Sequence, residues 1–165
     1  MGRNWAIAIG INGYSNLQDL SYAERDALSM REYFEQEESF ERVYHFAQDA
    51  PDIAVDRGSP ISSTPSYANL RRFLRVRFEQ PFLSKGDNFW FFFAGHGMRY
   101  QERDYLMPFD GDPGDISASG LSLYYVTERL RRCGADNVVL LIDACRSQGR
   151  RDGAGGIGQE IQKGS

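Results

Sequence analysis

Short apolar runs alternate with longer amphipathic stretches along the chain. Four runs predict buried strands, because they are apolar at nearly every position or rich in aromatic and β-branched residues; they are residues 5–11, 42–47, 88–94 and 138–142. Three stretches predict helices, because apolar residues recur three and four positions apart; they are residues 21–37, a segment that starts at Thr64-Pro65, and residues 122–133, which Gly134 ends.

Strands that alternate with helices favour an α/β fold in three layers, with a mostly parallel sheet and helices on both faces. Residues 49–63 hold Pro51, Gly58 and Pro60 and predict a long surface loop. In sheets of this kind ligands bind where parallel strands end, at their carboxyl edge. The pattern therefore directs attention to the residues that follow the third and fourth strands.

The two strand ends carry a histidine and a cysteine. Gly95-His96-Gly97 follows the third strand, and Asp143-Ala144-Cys145 follows the fourth. A cysteine nucleophile needs a neighbouring base, because a free thiol is mostly protonated at neutral pH, and imidazole suits that task. We expect the glycines to let the chain turn sharply at the strand end. The backbone N–H groups of Gly97 and Cys145 are candidates for an oxyanion hole.

A structural interpretation competes with this one, since a buried cysteine is usually inert and a histidine at a strand end is often only hydrogen-bonded. The joint placement of His96 and Cys145 favours the catalytic interpretation. Cys133 lies at the end of a helix and His45 lies within a strand, so we assign both to packing.

Residues 91–97 (FFFAGHG) and 140–146 (LLIDACR) resemble the caspase-like clan of cysteine peptidases. The caspase histidine lies about 50 residues before the cysteine, which is the separation here. The caspase signature Q-A-C-x-G is matched at Ala144, Cys145 and Arg146, whereas Asp143 and Ser147 replace its first and last residues. The resemblance implies a caspase-like fold and a cysteine endopeptidase with a Cys145–His96 dyad and a thioester acyl-enzyme.

Asp143 points to metacaspases and bacterial orthocaspases, which carry Asp-x-Cys at this place and an acidic residue in a segment resembling residues 20–27. By this resemblance, Asp26 and Asp143 line the specificity pocket. Two carboxylates select a guanidinium or ammonium group, so cleavage after Arg or Lys is expected. The chain departs from many metacaspases at Ala23, at Ala94 and after Cys145, which leaves details of the pocket open.

No cofactor is required by this chemistry, and no metal site is predicted. Calcium activates many metacaspases, and Asp110, Asp112 and Asp115 are candidate ligands. Gly111, Pro113 and Gly114 lie among them and suit a simple turn equally well.

Composition narrows the functional classes. The net charge of -4 argues against a general nucleic-acid binder, which needs a basic surface. Two cysteines are too few for a disulfide-stapled secreted domain, and their spacing fits no zinc site. The N-terminus has no export signal and no apolar run is long enough to span a bilayer, so a cytoplasmic protein without membrane contact is expected.

Caspase-like folds complete their sheet with strands from a small subunit. We therefore expect residues 1–148 to be the large-subunit part of the catalytic domain and residues 149–165 to be a flexible linker towards a small subunit from the same precursor. For a peptidase that prefers basic residues, Arg150, Arg151 and Lys163 are candidate self-cleavage sites. The substrate would be a protein or peptide with Arg or Lys before the scissile bond.

Three other functions stay open. An inactive caspase-like scaffold or regulatory module would keep the fold without the chemistry, and a legumain-like peptidase of the same clan would cleave after Asn. A nucleotide-binding module ranks last, because residues 10–14 (GINGY) match neither a dinucleotide fingerprint nor a P-loop.

Overall fold

The computed structural model describes residues 2–37, 39–55 and 57–146. The strands are β1 (Asn4–Gly10), β2 (Phe40–Phe46), β3 (Asn88–Tyr100), β4 (Arg103–Leu106), β5 (Leu121–Ser122) and β6 (Asn137–Arg146). The helices are α1 (Ala23–Gln36), α2 (Tyr67–Arg77), α3 (Ile116–Ser119) and α4 (Leu123–Leu130), which a 3-10 turn (Arg131–Cys133) extends. Of these described helices, none is both long and apolar enough to cross a bilayer.

The four predicted strands form the parallel part of one sheet, in the order β2, β1, β3, β6. β3 lies at the centre and pairs with β1 on one edge and with β6 on the other. The predicted α/β fold with a mostly parallel sheet and helices on both faces is confirmed. In the part of the chain described, β6 is the outer strand on its side of the sheet.

A row of asparagines crosses the sheet at the amino ends of its strands. Asn4, Asn88 and Asn137 are register partners in β1, β3 and β6. The Asn88 amide donates to the Asn4 side-chain oxygen at 3.1 Å, and the Asn137 amide donates to that of Asn88 at 2.9 Å. Because a slip of one residue would break both bonds, this row favours the observed register.

Strands β4 and β5 are not predicted by the sequence pattern. β4 pairs antiparallel with the end of β3 through a two-residue hairpin, in which Gln101 and Glu102 have φ values of 48° and 62°. Glycine and asparagine are the usual residues in such a turn, so Gln-Glu gives no hairpin signal. Gly97 of β3 pairs with β4 on one side and with β6 on the other. β4 therefore lies on the same edge of β3 as β1, beyond the point where β1 ends.

One face of the sheet lies against α1, and β1 presents small side chains to it. Ala8 of β1 packs on Ala23 and Ala27 of the helix. At Gly10 an added Cβ would lie 2.6 Å from the carbonyl oxygen of Ala23 and 2.7 Å from Cβ of Ala27, so the strand and helix touch closely there. These small residues let α1 sit near the sheet. The helix contacts β1, β2 and β3.

The opposite face carries the larger core, covered by α2 and α4. Here the side chains of β1 and β3 are large, and they pack with Phe73 of α2 and Leu130 of α4; those strand residues are Ile7, Ile9, Phe89, Phe91 and Phe93. Edge-to-face ring contacts run through this layer, including Phe46 with Phe73 at 5.2 Å. β1 thus presents small residues to α1 and large residues to the layer of α2 and α4.

Two predicted strand ends are wrong. β3 continues through Gly95, His96 and Gly97 to Tyr100, and β6 continues through Cys145 to Arg146. The glycine-rich segment therefore lies inside the sheet and is not a turn. The new partner β4 accounts for the difference, because it pairs with β3 beyond the point where the apolar pattern stops.

The predicted helix boundaries also shift. α2 begins at Tyr67 and not at Thr64-Pro65, because the Ser66 hydroxyl accepts from the Asn69 N–H at 3.1 Å and caps the helix. α4 is shorter than predicted, and its 3-10 extension ends at Cys133; Gly134 follows with a φ of 90°, which favours glycine. The proposed linker 149–165, with Arg150, Arg151 and Lys163, lies outside the described residues.

A buried arginine joins the two helices on the larger face. Arg129 of α4 donates from Nε to the Leu74 carbonyl at 3.2 Å and from Nη2 to the Arg75 carbonyl at 2.6 Å. We predict that Arg129→Met lowers the free energy of unfolding by about 2–3 kcal/mol, since two carbonyls near the end of α2 lose a charged donor. Urea unfolding measures the change.

Arg132→Met is the matched control, because Arg132 is exposed and, within the described part of the chain, its ion pair is with Glu128. Its loss should stay below about 1 kcal/mol. Equal losses in the two variants would contradict the role given to Arg129.

Candidate active site

His96 and Cys145 lie side by side at the carboxyl end of the parallel sheet. They are register partners in β3 and β6, so both side chains project from the same face of the sheet. It is the face on which Phe92 and Ala94 of β3 pack against α1. His96 is only 6% exposed, whereas Cys145 is exposed to solvent. A solvent-exposed thiol thus adjoins a buried imidazole.

The His96 ring lies between two backbone carbonyls. Nε2 lies 2.6 Å from the Gln18 carbonyl oxygen, and Nδ1 lies 3.3 Å from the carbonyl oxygen of Cys145. Both carbonyls only accept, so a neutral ring can donate to one of them, and we take the 2.6 Å contact at Nε2 as that hydrogen bond. In the neutral ring the lone pair is then on Nδ1, the nitrogen on the side of Cys145.

Tyr14 lies under His96 in the loop after β1. Its hydroxyl accepts from the His96 backbone N–H at 2.8 Å and donates to the Met107 carbonyl at 3.1 Å. Its ring meets the imidazole edge-on, with centroids 4.6 Å apart. Burial raises the pKa of Tyr14 far above its usual range, so the hydroxyl keeps the proton that it donates.

Close approach to Tyr14 explains Gly95. An added Cβ at this position would lie 2.6 Å from the Tyr14 hydroxyl and 2.8 Å from the Phe93 ring, which no side chain tolerates without movement. The glycine is therefore needed for space within a continuous strand, and not for the turn predicted from sequence.

Gly97 lies beside the cysteine, within the sheet. It pairs with Arg146 of β6 and with Leu106 of β4, and an added Cβ would lie 3.0 Å from Cβ of Ala144. Its backbone is thus close to that of Cys145, while its predicted place in a free turn is wrong.

Asp26 and Asp143 line one open trough of about 450 Å³ between α1 and β6. On α1, the lining residues are three and four positions apart and so lie on one face of the helix; besides Asp26 they are Ser29, Met30 and Tyr33. Phe92 of β3 forms the floor of the trough. Asp26 is half-buried and Asp143 is exposed. Asp143 lies two positions before Cys145 on the same strand face, so the trough opens about 7 Å from the thiol position.

The remaining candidates from the sequence lie elsewhere. Cys133 is fully buried, its thiol accepts from the Ala135 N–H at 3.4 Å, and burial raises the pKa of that thiol. His45 contacts Arg31 at 3.4 Å, and burial, then the Arg31 charge, lowers the pKa of its ring. Both have surroundings typical of structural residues.

The acidic segment after β4 is organised by hydrogen bonds of its own. Asp110 accepts from the Tyr67 N–H at 2.9 Å, and Asp112 accepts from the Gly114 N–H at 2.8 Å. Across residues 2–37, 39–55 and 57–146, no three His, Cys, Asp or Glu side chains cluster as metal ligands would.

Sequence reasoning misses Tyr14 and Gln18. Gln18 acts through its backbone carbonyl, which any residue type provides, so its identity carries no signal. Tyr14 follows Asn12-Gly13 in a polar segment, and nothing in that pattern indicates that its hydroxyl reaches β3.

Comparison with known proteins agrees with the fold. The crystal structure of protein GSU0716 from Geobacter sulfurreducens is similar with a TM-score of 0.59 at 19% sequence identity; the match covers 88% of this chain and 51% of that chain. This chain thus spans about half the length of that protein, and the likeness shows a shared fold. None of the curated proteins matches significantly.

The sequence model of the caspase domain family matches residues 3–164, nearly the whole chain. The match includes β3 with His96 and β6 with Cys145. On this evidence the chain belongs to the caspase domain family, a family of cysteine peptidases.

Proposed function

We propose that the protein is an endopeptidase of the metacaspase-like branch that cleaves after Arg or Lys, with Cys145 as nucleophile and His96 as general base. The pairing of an exposed thiol with an oriented imidazole on adjacent strands carries the proposal. The acidic trough on the same face supports the substrate preference.

In the first half-reaction, Nδ1 of His96 takes the thiol proton while the sulfur of Cys145 attacks the scissile carbonyl carbon. The Gln18 carbonyl stabilises the resulting imidazolium through Nε2–H. The tetrahedral intermediate then collapses, the C–N bond breaks, and His96 gives its proton to the leaving amine. A thioester of the acyl group remains on Cys145.

In the second half-reaction a water molecule replaces the amine. His96 takes one proton from it, the hydroxyl oxygen attacks the thioester carbonyl, and the C–S bond breaks to release the acid and restore the thiol. In both steps we propose the backbone N–H groups of Gly97 and Cys145 as donors to the oxyanion; both residues lie in the β3–β6 ladder, so a donor has to leave that ladder to bind it.

The trough fits a long basic side chain. Its walls are mainly apolar, from Met30, Tyr33 and Phe92, and suit the aliphatic stem of Arg or Lys. Asp26 and Asp143 supply negative charge for the cationic head and would repel an acidic side chain. A preference for Asp would require the opposite charge here.

The outer edge of β6 is a candidate docking strand for a small subunit from the same precursor. Its backbone edge opposite β3 has no strand partner among the described residues, and Ile142 is 37% exposed. Strand addition to such an edge is a common mode of recognition. We propose that this subunit is released by self-cleavage after Arg150, Arg151 or Lys163, which the intact masses of the active species would reveal.

Turnover of fluorogenic peptides tests the function. We expect cleavage of peptides that end in Arg or Lys and none of peptides that end in Asp or Asn. Cys145→Ala should lower kcat by roughly 10⁴-fold, because the nucleophile is lost, whereas Cys133→Ala should retain activity. Turnover should persist in a chelator, since only protein groups act.

Each other outcome identifies a different function. Cleavage of the Asn peptide alone would indicate a legumain-like enzyme, and a folded wild-type protein that cleaves none would indicate a scaffold. Loss of activity in the chelator, restored by calcium, would draw attention to Asp110, Asp112 and Asp115.

Alkylation tests the reactive thiol. We predict that iodoacetamide near neutral pH modifies Cys145 well before Cys133, which is buried and has a raised pKa. Peptide mapping by mass spectrometry gives the two rates. His96→Ala should slow the reaction of Cys145 and leave that of Cys133 unchanged; an equal rate at Cys145 in both proteins would contradict the dyad.

Neutral substitutions test the trough. Asp26→Asn and Asp143→Asn should each lower kcat/KM for the Arg peptide by roughly 10- to 100-fold, because each removes a charged acceptor for the substrate cation. Glu32→Gln is the control, since it removes the same charge from an exposed position of α1 outside the trough. A comparable fall in kcat/KM for Glu32→Gln would show that the effect comes from the net charge of the protein and not from the trough.

A further inference from the structure

The edge of β3 that faces β1 and β4 changes partner at His96. The Ala94 carbonyl accepts from the Ile11 N–H at 3.0 Å, just beyond the end of β1. The His96 carbonyl accepts from the Met107 N–H at 2.9 Å, at the start of the pairing with β4. The His96 N–H thus lies at the junction between two partner strands.

His96 and Met107 occupy the next pair in the β3–β4 ladder after Gly97 and Leu106. A hydrogen-bonded antiparallel pair exchanges two bonds, and the second would run from the His96 N–H to the Met107 carbonyl. Here the Tyr14 hydroxyl bridges these groups, with bonds of 2.8 and 3.1 Å. A direct bond would need about 2.9 Å between them, so the hydroxyl holds the pair apart.

The loop that carries Tyr14 is itself fastened. The Tyr14 N–H donates to the Asp19 carboxylate at 2.9 Å, and the Ser15 N–H donates to the Phe109 carbonyl at 2.9 Å. The same loop presents the Gln18 carbonyl to Nε2 of His96. One short segment therefore contacts the backbone of His96 and the far side of its ring.

We propose that Tyr14 is a positioning residue for His96: its hydroxyl keeps the histidine backbone away from Met107 and so sets the imidazole between the Gln18 carbonyl and Cys145. This inference rests on the proposed function of His96. Tyr14 is 8% exposed, and its ring meets the His96 imidazole edge-on. Its effect on the reaction passes through His96.

Tyr14→Phe keeps the ring and removes the bridge, so the His96 N–H is free to bond the Met107 carbonyl directly and to draw the imidazole away. With the full chain and the Arg peptide, we expect kcat to fall roughly 10- to 100-fold, the scale of effect that a displacement of about 1 Å produces. KM should stay within about twofold of wild type.

Tyr44→Phe is the matched control. Tyr44 lies on β2, away from the site, and is buried to a similar degree. Its hydroxyl accepts from Arg77 Nε at 2.9 Å. We expect wild-type kcat from this variant. An equal fall in both variants, or a change in KM alone for Tyr14→Phe, would overturn the proposal.

Two measurements are independent of turnover. The chain has two histidines, so ring resonances of His96 can be followed by NMR with His45 as internal reference. Tyr14→Phe should shift the His96 signals, leave those of His45 unchanged, and slow alkylation of Cys145. Unchanged His96 signals would overturn the proposal. A shift in a protein that cleaves no peptide would uphold the positioning and reject the proposed peptidase function.

Gly95→Ala tests the same contact from the other side, and serves if Tyr14→Phe does not fold. Its Cβ would lie 2.6 Å from the Tyr14 hydroxyl and should push it out of the bridge. We expect a comparable fall in kcat, and a combined effect with Tyr14→Phe that is smaller than the product of the two. Wild-type kcat in Gly95→Ala would contradict the proposal.

Discussion

The parallel pairing of β3 with β6 is the constraint on which the rest of the site depends. It joins two segments far apart in sequence and makes His96 the register partner of Cys145. A slip of one residue would carry Cys145 to the opposite face of the sheet, away from the histidine and from α1. The asparagine row at the other end of the same strands opposes such a slip through bonds that do not involve the site. Chemistry at one edge of the sheet is thus secured partly at the opposite edge.

The number of strands that α1 covers determines which part of the sheet face stays open. The helix contacts β1, β2 and β3, and the face of β6 beside it is left open as the trough that Asp26 and Asp143 share. Covering all four parallel strands would bury the carboxylates and shield the thiol. The incomplete layer therefore leaves the Cys145 thiol accessible and a trough next to it.

Much of this architecture was accessible from sequence because it follows from simple periodicity. The apolar runs around Ile7 and Phe91 predict buried parallel strands, and parallel strands deliver their carboxyl ends to one edge. The strand ends are harder to predict, because Gly95 and Gly97 look like turn residues although both lie within β3, where Gly95 leaves room for Tyr14. The β3–β4 hairpin escaped prediction because Gln101 and Glu102 adopt a turn that other residues usually occupy. The contributions of Tyr14 and Gln18 arise from tertiary contacts of a hydroxyl and a carbonyl, which no local pattern encodes. The sharing of one trough by Asp26 and Asp143 was expected from family resemblance alone.

The close packing of α1 on β1 has an evolutionary consequence. Asp26 is carried by a helix whose height above the sheet is set by Ala8, Ala27 and Gly10, all hidden from substrate. Adding even one methylene group at these positions would lift the helix and with it the carboxylate, while every pocket residue kept its identity. Under the proposed function, substrate preference is therefore open to adjustment from the interior, through mutations that a survey of pocket residues alone would overlook.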